Sequence, residues 1–260
     1  MDSKKYILDC YCDYRNFMQI NKYRIEMPLL NVKKSDSNEN ALAYVVTDEI
    51  SNKIANIYYS SKWEDLSTEL QHAKLFHEFT HIVDCLMIKR ITDEKTLLVI
   101  LATYSEFHAS QVELYDLLGI KNVTKFDKID LENKLISEER EWIPASQAYL
   151  GALASSSVII DKETMYYYDY DMLDYFKKYF MFEARAMYTL GKYEVCKKVS
   201  TEKIPNIIEK TYGKFFPYIF NIRKCFSLNQ LPSIPKYRSE LWEKFKSEFP
   251  NKFMNDFPDI

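Results

Sequence analysis

Residues 61–90 read SKWEDLSTELQHAKLFHEFTHIVDCLMIKR, and the fold turns on this stretch. Ser61-x-x-Glu64 has the form of a capping box, in which a hydroxyl and a carboxylate three residues apart satisfy the first free N–H groups of a helix. Leu66, Leu70, Ala73, Phe76, Phe79, Val83 and Leu86 then recur at spacings of three and four, the pattern of one buried helical face. Lys89 and Arg90 stand where cations favour a helix C-terminus. The pattern therefore predicts a helix beginning at Ser61. A break at Thr92-Asp93 supplies a new cap, and a second helix is expected to run to Leu118, stopped by Gly119. Its opening run, Leu97-Leu98-Val99-Ile100-Leu101, is apolar on every face, which predicts burial all round.

Inside the first helix lies His77-Glu78-Phe79-Thr80-His81. Two His residues four apart on a helix are separated by about 40° around the axis and about 6 Å along it, so both imidazoles can reach one Zn²⁺. The Glu after the first His sits at the edge of the same face, where its carboxylate can take a proton from water activated at the metal. His77 and His81 are thus candidate metal ligands and Glu78 a candidate catalytic base.

A catalytic zinc site usually takes a third protein ligand and keeps a position open. Asp84, Glu106, His108 and Glu113 are the candidates. A second helix returning antiparallel brings Glu106 nearly level with His81, whereas Glu113 overshoots by roughly 10 Å. His108 is about 200° around the axis from Glu106, so only one of the two can face the metal. Small neighbours on the Glu106 face, Ala102, Ala109 and Ser110, allow close helix approach, which favours Glu106. Asp84 lies on the metal-facing side one turn past His81, either as a partner for an imidazole N–H or as a packing carboxylate. His72 is turned roughly 140° from His77 and is left outside the site. Tyr104 and His108 are merely near in sequence as stabilisers of developing negative charge.

Before the motif helix, Ala41 to Val46 and Lys53 to Ser60 read as neighbouring strands or a hairpin, with a polar loop at Lys34 to Asn40. Lys53 to Ser60 is the natural edge for an extended peptide. Lys5 to Cys12 fits a strand or a short helix equally. Beyond residue 125 the chain reads as wholly helical: Asp127 to Trp142, Pro144 to Val158, Asp171 to Val199, Ile204 to Tyr212, Phe215 to Phe226 and Ser239 to Phe249. Met165 to Tyr170, rich in tyrosine, reads as helix-packing surface. No internal repeat is visible.

Composition narrows the function classes. The chain has 260 residues, 47% of them apolar, and a net charge of -3, so it can bury a core and carries no electrostatic footprint for nucleic acid or an anionic membrane. Its longest apolar run, Leu97 to Ala102, is far short of the ~20 residues of a membrane span. The N-terminal stretch lacks the apolar region of a secretory signal, so a cytoplasmic location is expected. Five unevenly spaced cysteines predict free thiols, and Cys10-x-Cys12 has no second pair to complete four ligands. Only four glycines leave no Gly-rich phosphate loop.

A helix bearing His77-Glu78-x-x-His81 followed by a helix carrying Glu106 resembles the gluzincin zinc metallopeptidases, the thermolysin group. The short β region and Glu106-x-x-Ala109 resemble, within that group, the ImmA/IrrE-type metallo-endopeptidases of bacteria and their mobile elements. The resemblance spans about residues 40 to 120. It implies a zincin core, zinc held by His77, His81 and Glu106, Glu78 as catalytic acid/base, and a protein substrate such as a repressor. Two features depart from it: Ser110 stands where thermolysin-like chains place an Asp four residues after the Glu ligand, and no helix-turn-helix precedes the motif. The expectation is an α+β chain, with a zincin-like domain over 1–125 (small sheet, metal-binding helix, antiparallel ligand helix) and an all-α region over 126–260. Its expected function is zinc-dependent endopeptidase. A metal-bearing binding or regulatory protein is the alternative.

Overall fold

The computed structural model describes residues 2–20, 25–35, 42–46, 49–138, 141–151, 153–154 and 172–250. Helix α1 (Ser3–Ile20) resolves the ambiguity at Lys5 to Cys12. Ile7, Cys10, Tyr11, Tyr14, Phe17 and Met18 are buried at helical spacing, and they close over the motif helix. Tyr14 packs edge-on to Phe76 and donates its hydroxyl to Thr80 Oγ1 at 3.0 Å.

Three strands follow: β1 (Leu29–Lys34), β2 (Ala43–Val45) and β3 (Ile54–Tyr59). Their order is β1-β3-β2, with β1 parallel and β2 antiparallel to β3. Along β3, Ala55, Ile57 and Tyr59 alternate inward onto the core. Strand β3 is therefore central and bonded on both sides, so the segment Lys53 to Ser60 offers no free edge to a peptide. The edge next to the motif helix belongs to β2.

The first helix starts later than the capping-box reading expects. A single turn, α2 (Ser61–Glu64), ends before α3 (Thr68–Ile88), and Ser67, not Ser61, caps α3 by accepting from Leu70 N at 3.2 Å. Glu64 is drawn off by Ser3 Oγ and Lys34 Nζ, each at 2.6 Å. A long-range charged partner outcompetes the local cap.

The second helical run begins as expected at Asp93, which accepts from Thr96 N at 2.8 Å. It comprises α4 (Glu94–Ile100), a π-helical segment (Leu101–Ser105) and α5 (Glu106–Leu117). Gly119, with φ 74°, closes it: its N–H and that of Ile120 return to Asp116 O and Tyr115 O. The opening run is not buried all round, because Leu98 is 51% exposed.

The described residues of 127–142 depart from the predicted helix. Asp130 accepts from the backbone N–H of Glu132 and Asn133, a turn that competes with helix, and a hairpin follows as β4 (Leu135–Glu138) and β5 (Glu141–Pro144). The second half is thus not wholly helical. The helix expected from Pro144 starts as a 3₁₀ turn, Ala145–Gln147, and much of its remainder lies outside the described residues, as do Met165 to Tyr170 and most of the loop at Lys34 to Asn40. Helices α6 (Met172–Val199), α7 (Ile207–Tyr212), α8 (Phe216–Lys224) and α9 (Ile234–Glu248) complete the described chain. Helix α9 begins before Ser239 because Pro235 sits in its first turn, where a missing N–H does no harm.

The molecule is mainly helical with two small sheets. Its core is continuous: α6 lies along α5, and Tyr175, Tyr179, Phe182, Phe215, Trp242 and Phe245 cluster behind it. Gly191 of α6 makes that approach possible, since a Cβ there would stand 2.0 Å from Ser110 Oγ and 2.4 Å from Phe107 O. Ser110 therefore serves the α5–α6 contact. No helix among the described residues is long and apolar enough to cross a membrane.

Candidate metal centre

Helices α3 and α5 pack side by side and bring His77, His81 and Glu106 to one place. The two imidazole centroids lie 4.8 Å apart. His77 Nε2 is 3.7 Å from Glu106 Oε2, and His81 Nε2 is 3.6 Å from Glu106 Oε1. Donors around a tetrahedral zinc, with bonds of about 2.0–2.1 Å, stand about 3.4 Å apart. Each contact comes within a few tenths of an ångström of that spacing, one to each oxygen of Glu106. His77, Glu78 and His81 also form a group whose ligand atoms all lie within 4.8 Å of one another and could hold a metal ion.

The chemistry of the donor set is more telling than its spacing. Ser105 Oγ donates its single proton to Asp84 Oδ2 at 2.9 Å, so its 2.7 Å contact with His81 Nδ1 requires the imidazole to be the donor. His77 Nδ1 lies 3.0 Å from Glu113 Oε2, a pure acceptor, at ion-pair distance but off the line of a hydrogen bond, and neither atom is hydrogen-bonded elsewhere among the described residues. The His81 proton is therefore on Nδ1, and the acceptor 3.0 Å from His77 Nδ1 favours the same tautomer there. With both imidazoles neutral in these tautomers, each Nε2 presents a lone pair toward the Glu106 carboxylate, and three acceptors converge. That arrangement is repulsive until a cation fills it. The residues present fit a divalent metal.

Compared with protein-family models, with curated proteins and with solved structures, the chain matches none.

Glu78 occupies the rim. Its Oε2 accepts from Val45 N of strand β2 at 3.1 Å. Burial pushes its carboxyl up to about 7; the neighbouring His77 opposes this and Glu106 adds to it. A carboxylate with a proton affinity near neutrality suits reversible proton transfer.

The remaining candidates separate cleanly. His108 turns away: its Nδ1 meets Asp84 at 2.9 and 3.1 Å, and its ring faces Tyr104. Asp84, fully buried, reaches the site only through Ser105. His72 is paired outside the site with Asp116 at 2.7 Å. Glu113 is not remote, as an overshoot measured from His81 suggests. His77 sits about 6 Å farther along α3 and Glu113 about 10 Å farther along α5 in the same direction, a difference its side chain spans.

Glu113 Oε1 takes Tyr188 Oη at 2.8 Å, Lys74 Nζ at 2.9 Å and Lys192 Nζ at 3.3 Å. Burial works to raise this carboxyl, but Lys192 and Lys74, helped by His77, hold it well below the usual carboxylate range. Sequence reasoning did not assign roles to Ser105, Lys74, Tyr188 or Lys192. Glu113 was legible as a same-face neighbour of Glu106 at seven residues; for Tyr188 and Lys192, a different helix and over seventy residues on, no local signal exists.

Proposed function

We propose that the chain is a zinc-dependent metallo-endopeptidase of zincin-like architecture, with zinc held by His77, His81 and Glu106. The convergence of two Nε2 lone pairs on the Glu106 carboxylate carries this reading. Two His and one carboxylate suit zinc; Ser105 beside His81 Nδ1 and Glu113 beside His77 Nδ1 favour the tautomer such ligands need. The chemistry a zinc ion supplies in such a site is Lewis-acid polarisation of a carbonyl and a lowered pKa for water.

Glu78 is assigned the proton traffic: it accepts a proton from the attacking water and hands it to the departing amine. Its bond to Val45 N keeps the carboxylate at the rim and ties it to strand β2. Strand β2 is also the sheet edge nearest Glu78, where an extended peptide can pair by backbone hydrogen bonds. The order of small sheet, motif helix and antiparallel helix supports the gluzincin resemblance, with Glu113 seven residues after Glu106 in place of an Asp at four. A repressor-like protein is the substrate this resemblance favours.

The test combines metal analysis with turnover. Purified chain is expected to carry one zinc per molecule and to cleave an unfolded reporter protein, and Glu78→Gln to keep the zinc while losing cleavage by at least about a hundredfold. Unchanged cleavage by that variant, or stoichiometric iron in place of zinc, would remove the peptidase assignment. A biological activity that persists in Glu78→Gln would favour the metal-bearing binding protein.

A further inference from the structure

Helix α6 belongs to the half of the chain that the motif does not reach, yet two of its side chains end within the machinery around His77. Tyr188 and Lys192 are four residues apart and share one face. Both reach Glu113 Oε1, at 2.8 and 3.3 Å, where Lys74 of α3 joins them at 2.9 Å. Lys74 also donates to Tyr188 Oη at 3.3 Å, and Lys192 lies over the Tyr188 ring at 4.7 Å. Three donors thus load a single carboxylate oxygen. The other, Oε2, is left 3.0 Å from His77 Nδ1, at ion-pair distance though off the line of a hydrogen bond, and neither atom is hydrogen-bonded elsewhere among the described residues.

Burying the Lys192 ammonium and a carboxylate, with Lys74 partly buried beside them, is a poor bargain for stability alone, since an apolar cluster of the same volume does as well or better. What the ionic cluster adds is direction. Glu113 can rotate about its terminal bond, and only a set of donors on one oxygen decides which oxygen faces the imidazole. Gly191 brings the clamp into reach: it is the residue before Lys192, and its missing side chain seats α6 against Phe107 and Ser110.

We propose that α6 is a working part of the metal centre, its Tyr188 and Lys192 acting with Lys74 as positioning residues that clamp Glu113, which in turn orients the ligand His77. The proposal rests on the metal-site reading above. It goes beyond it by making the helical half of the chain a determinant of metal affinity, through a carboxylate that touches no metal.

The experiment measures metal binding, not turnover. Full-length chain is stripped with a chelator and titrated with Zn²⁺ against a chromophoric competitor, and separately with Co²⁺ while its visible absorption is recorded. Glu113→Gln is expected to weaken Zn²⁺ binding about 10- to 100-fold and to alter the Co²⁺ bands. Tyr188→Phe and Lys192→Met should each weaken it several-fold, and neither should add to the loss when combined with Glu113→Gln. A purely structural role predicts lower thermal midpoints of the metal-free variants with wild-type affinity and Co²⁺ spectrum, and that result overturns the proposal. Should Glu113→Gln fail to fold, Tyr188→Phe decides alone, since it removes one hydroxyl: affinity within twofold of wild type overturns the clamp. A wild-type chain that binds neither metal overturns the metal-centre reading itself, a failure distinct from wild-type binding that the variants leave untouched.

Discussion

Replacing Gly191 by Ala tests how α5 and α6 are held together. In an exposed helix this change stabilises by up to about 1 kcal/mol, because Ala restricts the unfolded chain. Here the new Cβ would meet Ser110 Oγ at 2.0 Å and, decisively, Phe107 O at 2.4 Å. The hydroxyl can swing away; the carbonyl is part of the α5 backbone. Ordinary contact requires the helices to part by on the order of 1 Å. Overpacking of that kind costs about 1–3 kcal/mol, so the balance is a net loss of about 1–2 kcal/mol. Urea unfolding of the metal-free protein reads this as a lower midpoint at unchanged slope. Ser110→Ala added to Gly191→Ala should not restore it, because the backbone contact remains. Stability equal to or above wild type in the single variant would refute the close-approach reasoning, and rescue by Ser110→Ala would show that the side chain, not the carbonyl, sets the separation.

Three further outcomes follow from the site. Glu106→Gln replaces one of three facing acceptors with a donor, so metal-free protein should gain on the order of 1 kcal/mol in thermal unfolding while stoichiometric zinc is lost by elemental analysis; a destabilised variant that retains zinc would contradict both parts. Glu78 titrates near 7 in the folded, metal-free chain against an ordinary 4.5, so its neutral form is favoured by folding. Stability is then fullest below pH 4.5 as far as this group is concerned and declines as pH rises toward 7, by on the order of 1–2 kcal/mol after allowing for partial solvent screening, and Glu78→Gln should flatten that part of the pH–stability curve. Asp84→Asn strips the acceptor shared by Ser105 and His108 inside the core, with an expected loss of about 1–3 kcal/mol; proton NMR of His81 and His108 should shift in the same variant, and an unchanged His81 signal would contradict the coupling of Asp84 to His81 through the Ser105 hydroxyl.

What could be read from the sequence was what local spacing encodes. The face of α3, the placement of both imidazoles, the cap at Asp93 and the stop at Gly119 all follow from periods of three and four and from terminal residue types. Level counting along two antiparallel helices also brought Glu106 to the imidazoles. It misjudged Glu113 because the count was made from His81 and not from His77. Elsewhere local signals lost to distant partners. Glu64 left its capping box for Ser3 and Lys34. The described residues of 127–142, read as helical from the sequence, form a turn and two paired strands, with Asp130 holding the backbone and Ile129 bridged to Ser200. Strand β1 was missed because it is only partly buried and pairs with a strand twenty residues on. The clamp around Glu113 was illegible for the same reason: nothing near Tyr188 or Lys192 in the chain says which carboxylate they will meet.

The π-helical segment at Leu101–Ser105 gives this architecture a place to absorb a change of length. A π turn holds one residue more than an α turn yet still closes a single turn, so losing one residue ahead of Ser105 would merge α4 and α5 into one regular rod while the positions beyond it keep nearly the same face. The regular helix that follows has no such reserve. A residue lost between Glu106 and Glu113 would rotate everything beyond it by about 100° and slide it by about 1.5 Å. Glu106 would stay at the imidazoles and Glu113 would leave His77, so the spacing of those two carboxylates tolerates no slip although the stretch just before them does.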